Sequence, residues 1–402
     1  MSAPATPPRL PDPAGTTGDS PTTRSIPELP AFLPALEGLR AVAAIGIIVA
    51  HVAFQTGNDT GSLINQMMAR LDFFVPVFFA LSGFLLWRRH HADIGWQNWS
   101  TYYVKRIGRI MPAYWVLVVL VLVLFPVASE PGGFPGPVAV VANLFLVQNF
   151  VPDGLVGGLT HLWSLCVEMF FYLVMPVLAL AVGRYRRRVR VLALVAVCSS
   201  SYLWPFVSWS GSEINAHIMP WAFLSWFGVG LLAAELEGWL AERQAGRPDD
   251  RVASSARRWA SHRWLWVIVA GLAVWAAALD GPEGLVTAGA GEFARRNFFG
   301  LIFAAALIVP YAVQPASRVM ESAVMQALGR WSYSIFLWHM AILSVAFPLL
   351  GVPLFDSSPL SMVLILITTV LVTIPVAALS YALVEDPARR AVNRWWKARS
   401  AR

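Results

Sequence analysis

From residue 36 onward the chain alternates long apolar runs with short clusters of charged residues. Ten runs are long enough to be membrane helices: 36–54, 71–87, 112–128, 162–183, 189–208, 218–236, 264–280, 297–314, 331–350 and 360–384. About 20 predominantly apolar residues cover the ~30 Å hydrocarbon layer as a helix. In lipid only helices or closed barrels satisfy their own backbone, and these runs lack the alternating pattern of barrel strands. The predicted fold is therefore all-α, a polytopic membrane bundle of about ten transmembrane helices. The stretch 138–150, with Asn143, Gln148 and Asn149, is too short and polar to span and is expected to be re-entrant or interfacial. Residues 1–30 hold eight prolines and no apolar core of a signal peptide, so they read as a disordered tail. The expected organisation is a Pro-rich tail over 1–35, a membrane domain over 36–390 and a basic tail over 391–402.

Charge placement adds an orientation. Of the 30 Lys and Arg residues, all but Arg40, Arg70, Arg295 and Arg296 fall in the tails or in the connections after the even-numbered spans. Lys and Arg collect on the cytoplasmic side, so both termini are expected in the cytoplasm, with the chain in a bacterial cytoplasmic (inner) membrane. The net charge of +7 then reflects topology, and no nucleic-acid partner is expected. Charged residues make up 13% of the chain, about half the usual ~25% of soluble domains. Trp99, Trp115, Trp163, Trp209, Trp331 and Trp395 stand near expected span ends, as interfacial anchors do. Cys166 and Cys198 both lie in apolar runs and form neither a disulfide framework nor a zinc site; no metal is expected. The five arginines from Arg184 to Arg190 read as a solvated cluster facing lipid headgroups.

Ionisable groups inside spans are costly and should face the protein interior. The first span carries Glu37, Arg40 and His51. Arg40 and His51 are eleven residues apart, about three helical turns, so they share one face roughly 16 Å apart along the axis. His161, Ser164, Glu168 and Tyr172 form a second polar stripe at helical spacing. In the ninth span Ser332 and His339 share a face, with Tyr333 and Ser334 beside them. Ser82-Gly83 interrupts an aromatic run and reads first as a helix-packing site. Arg106 and Arg109 sit one turn apart before the third span, and Glu385 and Arg389 form an expected i,i+4 pair. Together these residues describe a bundle with a polar interior, arginines at its inner mouth, and a histidine and a carboxylate deeper in. Guanidinium forks suit phosphates, and a histidine suits general-base work.

At these residues the chain resembles the integral-membrane acyltransferase 3 family. The resemblance runs through LEGLRAVAAIGIIVAH at 36–51, FFALSGFLL at 78–86, RIGRIMPAYW at 106–115, HLWSLCVEMFFY at 161–172, WSYSIFLWH at 331–339 and EDPARR at 385–390. It implies transfer of an acetyl or other short acyl group from acyl-CoA, delivered in the cytoplasm, to a hydroxyl of a sugar, exported glycan, lipid or macrolide-type metabolite. It places the family's essential His at His51, its essential Arg at Arg40 and its Glu at Glu168, the expected catalytic set. Arg40, Arg106, Arg109 and Glu37 are the donor-binding candidates. His161, Ser164, Tyr172, Ser82, Tyr333, His339, Glu385 and Arg389 complete the polar interior, with substrate-contacting or structural roles. Some family members append an extracytoplasmic hydrolase-like domain; this chain is expected to work as a stand-alone membrane domain or with a separate partner.

Each reading has a plainer rival. His51 could be a core histidine bonded to a carbonyl, and Arg40 could simply neutralise Glu37 or another buried acid. Glu168 could orient a histidine, bind an arginine or hold helices together. His161 and His339 read more readily as interfacial and packing residues, and Arg106 and Arg109 could serve topology alone. The rival function is a transporter or flippase for a polar lipid or metabolite, against which the absence of a visible internal repeat counts.

Overall fold

The computed structural model describes residues 32–92, 95–124, 135–207, 214–280 and 288–400, and within them every regular element is helical. The tail expected over 1–30 lies outside the described residues. In chain order the helices are α1 (Pro34–Gln55), α2 (Leu63–Ala69), α3 (Phe74–His90), α4 (Trp96–Leu124), α5 (Pro137–Leu144), α6 (Trp163–Val182) and α7 (Arg187–Ser199). They continue as α8 (Leu224–Gly246), α9 (Arg251–Ser261), α10 (Arg263–Ala278), α11 (Ala290–Val313), α12 (Ala323–Leu350), α13 (Pro359–Ser380) and α14 (Asp386–Ser400). Among the described residues nine helical segments are long and apolar enough to cross a membrane, or ten when α9 and α10, bent by 64° at His262, count as one. Each of the ten expected spans falls on one of these segments.

Three local expectations are corrected. The third span was expected to open at Pro112, but α4 begins well before it and carries Pro112 inside. Its basic first half is helical because it lies against α14, with Gly108 directly facing Val392. The arginines 184–190 are not uniformly solvated. Arg190 is buried and donates through Nε (2.5 Å) and Nη2 (2.6 Å) to Glu235, which also accepts from Trp87 Nε1 at 2.6 Å. Arg187 grips Glu242 with two bonds of 2.6 Å, so these arginines lock α7 to α8. Glu385 and Arg389 interact only at a distance, without a direct ion pair among the described residues. A π-helical turn, Tyr381–Glu385, joins α13 to α14 and turns Glu385 inward to accept from Ser334 Oγ at 3.1 Å. Arg389 instead bonds Asp386 at 2.5 Å.

Two close helix crossings set the frame. In the α3–α8 pair, the most extensive in the molecule, Gly83 faces the Phe227 carbonyl and Gly230 faces the Ala80 carbonyl. A side chain at either glycine would meet backbone, so the pair depends on small residues as membrane helices commonly do. In the α1–α12 pair, Gly329 lies against the Glu37 carbonyl and Gly38 against that of Met320. One turn further along both helices stand Arg40 and Ser332, brought within hydrogen-bond reach by that approach. At the basic end Asp250 caps α9 by accepting from Ala253 N–H at 2.9 Å, and Arg243 beside it holds its carboxyl below the ordinary carboxylate range.

Candidate active site

Helices α1, α3, α4, α6 and α12 enclose a cavity of about 100 Å³. The crossings described above aim the polar stripes of these helices into it. Arg40 comes from α1, Ser82 from α3, Arg106 and Arg109 from α4, Ser164, Glu168 and Tyr172 from α6, and Ser332 and Tyr333 from α12. A second, more open cavity of about 490 Å³ lies at the basic end, lined by Arg89, Lys105 and Arg389 among others. Arg106 and Arg109 line both, so the two meet at their side chains.

The interior polar groups are individually held. Arg40 Nε donates to Ser332 Oγ at 3.1 Å, with its guanidinium 5.9 Å from the centre of the Phe78 ring. It makes no ion pair with Glu37 among the described residues, and Glu37 lines neither cavity. Glu168 accepts from both Ser82 Oγ and Tyr172 OH, and those two hydroxyls lie 3.1 Å apart. Glu168 therefore ties α6 to α3 and, among the described residues, bonds no histidine. The Arg106 guanidinium sits 5.3 Å from the centre of the Tyr172 ring and 5.9 Å from that of Tyr102, within cation–π range. Tyr333 OH donates to the Ile110 carbonyl at 2.9 Å, fixing α12 on α4. The inner cavity wall carries three guanidinium groups and one carboxylate, an electropositive lining suited to an anion.

At the end away from the arginines the lining stops at Ile47, Ser164 and Phe336. One helical turn beyond each stands a histidine: His51 on α1, His161 at the head of α6 and His339 on α12. The His51 and His339 ring centres are 5.3 Å apart, and those of His339 and His161 are 4.8 Å apart. His339 Nδ1 lies 2.7 Å from the Phe336 carbonyl, and His161 Nε2 lies 3.2 Å from the Leu337 carbonyl. Their other nitrogens, His339 Nε2 and His161 Nδ1, are buried without a partner among the described residues. No group of three or more His, Cys, Asp or Glu among the described residues has the arrangement to hold a metal ion.

Helical spacing alone does not show how the polar stripes meet. His161 and His339, read as bystanders, adjoin His51 in one layer. The segment bearing His161 is pinned by residues whose role was not foreseen. Gln148 Nε2 donates to the Leu162 carbonyl at 3.0 Å, and Asn149 Nδ2 donates to the carbonyls of Trp163 at 3.0 Å and Ile218 at 2.8 Å. Both amides are buried; three polar side chains in an otherwise apolar stretch were the only sign of this. Glu385 lies outside the cavity lining, behind α12 at Ser334, and Arg389 lines only the open mouth.

Comparison with known proteins gives this arrangement a family. The acyltransferase MdmB of Streptomyces mycarofaciens is 26% identical over 390 residues, covering 90% of this chain and 93% of that protein. A Staphylococcus aureus protein provisionally named O-acetyltransferase SACOL0978 is 23% identical over 398 residues. A Bacillus subtilis protein provisionally named peptidoglycan O-acetyltransferase YrhL is 24% identical over 387 residues. The chain covers 89% of itself in both matches but spans only 58% and 55% of those two proteins. No solved structure matches. Residues 33–378 match the acyltransferase domain family, Acyl_transf_3, and the chain belongs to that family of membrane acyltransferases.

Proposed function

We propose that the protein moves an acetyl or other short acyl group from acyl-CoA to a hydroxyl of a sugar, exported glycan, lipid or macrolide-type metabolite, with His51 as general base. The observation that carries this reading is the succession along one path: a mouth with Arg89, Lys105 and Arg389, a neck with Arg106 and Arg109, an inner cavity with Arg40, and a histidine layer one turn past its end. Coenzyme A offers phosphates to the first groups and a long uncharged arm to the cavity. Arginine is suited to the phosphates because its planar fork donates two parallel hydrogen bonds. Arg40, deeper than the phosphate sites, then faces the arm near the thioester, and Glu168 holds α6 and α3 apart at the right spacing through Ser82 and Tyr172.

In the reaction His51 takes the proton of the acceptor hydroxyl as its oxygen attacks the thioester carbonyl. The tetrahedral intermediate collapses, the carbon–sulfur bond breaks, and the departing thiolate recovers the proton from the imidazolium. Relatives named for O-acetylation support an oxygen acceptor, and MdmB, matched over nearly its full length, supports activity of a chain of this size. We further infer that the mouth faces the cytoplasm with both termini on that side, and that 36–390 forms one membrane domain flanked by tails over 1–35 and 391–402.

The test uses purified protein with acyl-CoA thioesters of several chain lengths and a panel of hydroxylated acceptors. General-base catalysis contributes about 10² to 10⁴ in rate. His51→Gln should insert, fold and bind acyl-CoA, yet lose at least about a hundredfold in transfer. A folded variant with near-normal transfer would remove His51 from the chemistry. A wild-type sample that moves substrate across vesicles without acyl transfer would replace the enzyme by a transporter.

A further inference from the structure

We infer that His339 is a positioning residue that fixes the tautomer and direction of His51; this rests on the reading of His51 as the base. A backbone carbonyl only accepts hydrogen bonds, so the 2.7 Å contact with the Phe336 carbonyl requires the His339 proton on Nδ1. In the neutral ring Nε2 is then a bare lone pair. That atom is buried with no partner among the described residues, and an unpaired buried acceptor costs about 1–3 kcal/mol. It needs a donor.

His161 cannot be that donor. Its Nε2 faces the Leu337 carbonyl, so Nε2 carries the proton and Nδ1 is a second lone pair. Two lone pairs do not bond to each other. His51 is different, because neither of its nitrogens is committed to a protein group among the described residues. Two imidazoles joined nitrogen to nitrogen, with the heavy atoms about 3 Å apart, have ring centres about 5 Å apart; the observed 5.3 Å places His51 at that range. Turning the His51 ring directs one N–H at His339 Nε2.

The consequence for the reaction is directional. With one His51 nitrogen donating to His339, the other is a lone pair, free to take the acceptor's proton. When it does, the imidazolium keeps its N–H···Nε2 bond to His339, so no proton moves beyond His51 and the thiolate reclaims the same one. A neutral ring here does what a carboxylate does in many His-based sites. That fits the placement of Glu168, the one carboxylate lining the cavity, which is occupied with Ser82 and Tyr172.

Three substitutions at His339 separate positioning from packing. Gln can place its carbonyl oxygen near the position of Nε2, Asn reaches only to the position of Nδ1, and Leu fills the space without an acceptor. Positioning predicts that H339Q keeps kcat within about threefold, while H339N and H339L lose roughly tenfold to a hundredfold, below the full general-base contribution. The KM for acyl-CoA should stay unchanged in all three. Packing alone predicts that Leu, apolar at a buried site, does as well as Gln or better. Should H339L fail to insert, the Gln–Asn contrast decides by itself: equal rates would overturn the proposal. The H51Q background supplies the second readout. There H339N should cost nothing further, since its effect passes through His51; an undiminished loss would overturn the positioning role. If H51Q alone were fully active, the base assignment would fall, and that result is distinct from any of these.

Discussion

At the scale of single residues the guanidinium groups carry the recognition. Arg106 and Arg109 line both the open mouth and the inner cavity, so a ligand entering one way must pass them. Replacing both with Lys keeps the charge that sets topology but removes the planar fork. The expected outcome is normal insertion with apparent acyl-CoA affinity lowered about tenfold or more, about the 1.5–3 kcal/mol of one charge-assisted hydrogen bond, read by titration of the donor. Unchanged affinity would leave these arginines a topological role alone. The stripe residues Arg40, Glu168, Ser332 and His51 were legible in the sequence because buried charge at helical spacing must face inward. Their partners were not. Periodicity says which face a residue occupies but not which neighbour meets it. Hence spacing leaves Glu168 open to a histidine, an arginine or a helix-holding role, and its hydrogens come from Ser82 and Tyr172. The Glu385–Arg389 pairing failed for a related reason: the spacing does not show that Ser334 on another helix draws Glu385 inward or that Asp386 takes Arg389.

At the scale of helices the site depends on two crossings where backbones touch. Ser82 reaches Glu168 because Gly83, the next residue, lets α3 sit against the Phe227 carbonyl of α8. Gly230 makes the reciprocal contact at Ala80, where an added side chain would collide with backbone rather than with a flexible group. Gly230→Leu should therefore destabilise the protein by about 1–3 kcal/mol or more, as overpacking does. Thermal unfolding in detergent would check this, and a substitution that leaves the midpoint unmoved would mean that α3 and α8 can part without loss. Helix count and order were readable from apolar run length alone. Helix starts were less so. The basic first half of α4 looks like a loop because its stability comes from α14, distant in sequence.

At the scale of the molecule the expected orientation rests on where Lys and Arg gather. Reporter fusions at Arg247 and Ser317 should report cytoplasm, and fusions at Gly154 and Ser357 should report the far side. One inverted reporter would break the alternation at that helix. The same view shows an uneven thickness. Because the chain turns by 64° at His262, α10 is left with 16 residues, about 24 Å of helix against a hydrocarbon layer of ~30 Å. Two of its three tryptophans, Trp264 and Trp275, are exposed, and interfacial tryptophan holds its depth at the headgroups. A segment this short matches a bilayer thinner than the average, and mismatch costs a fraction of a kcal/mol for each ångström. Reconstituted in bilayers of increasing acyl-chain length, the protein should melt at progressively lower temperature in the thicker ones. The short helix thus makes the surrounding membrane's thickness a determinant of the fold's stability, and thinner membranes the more favourable host.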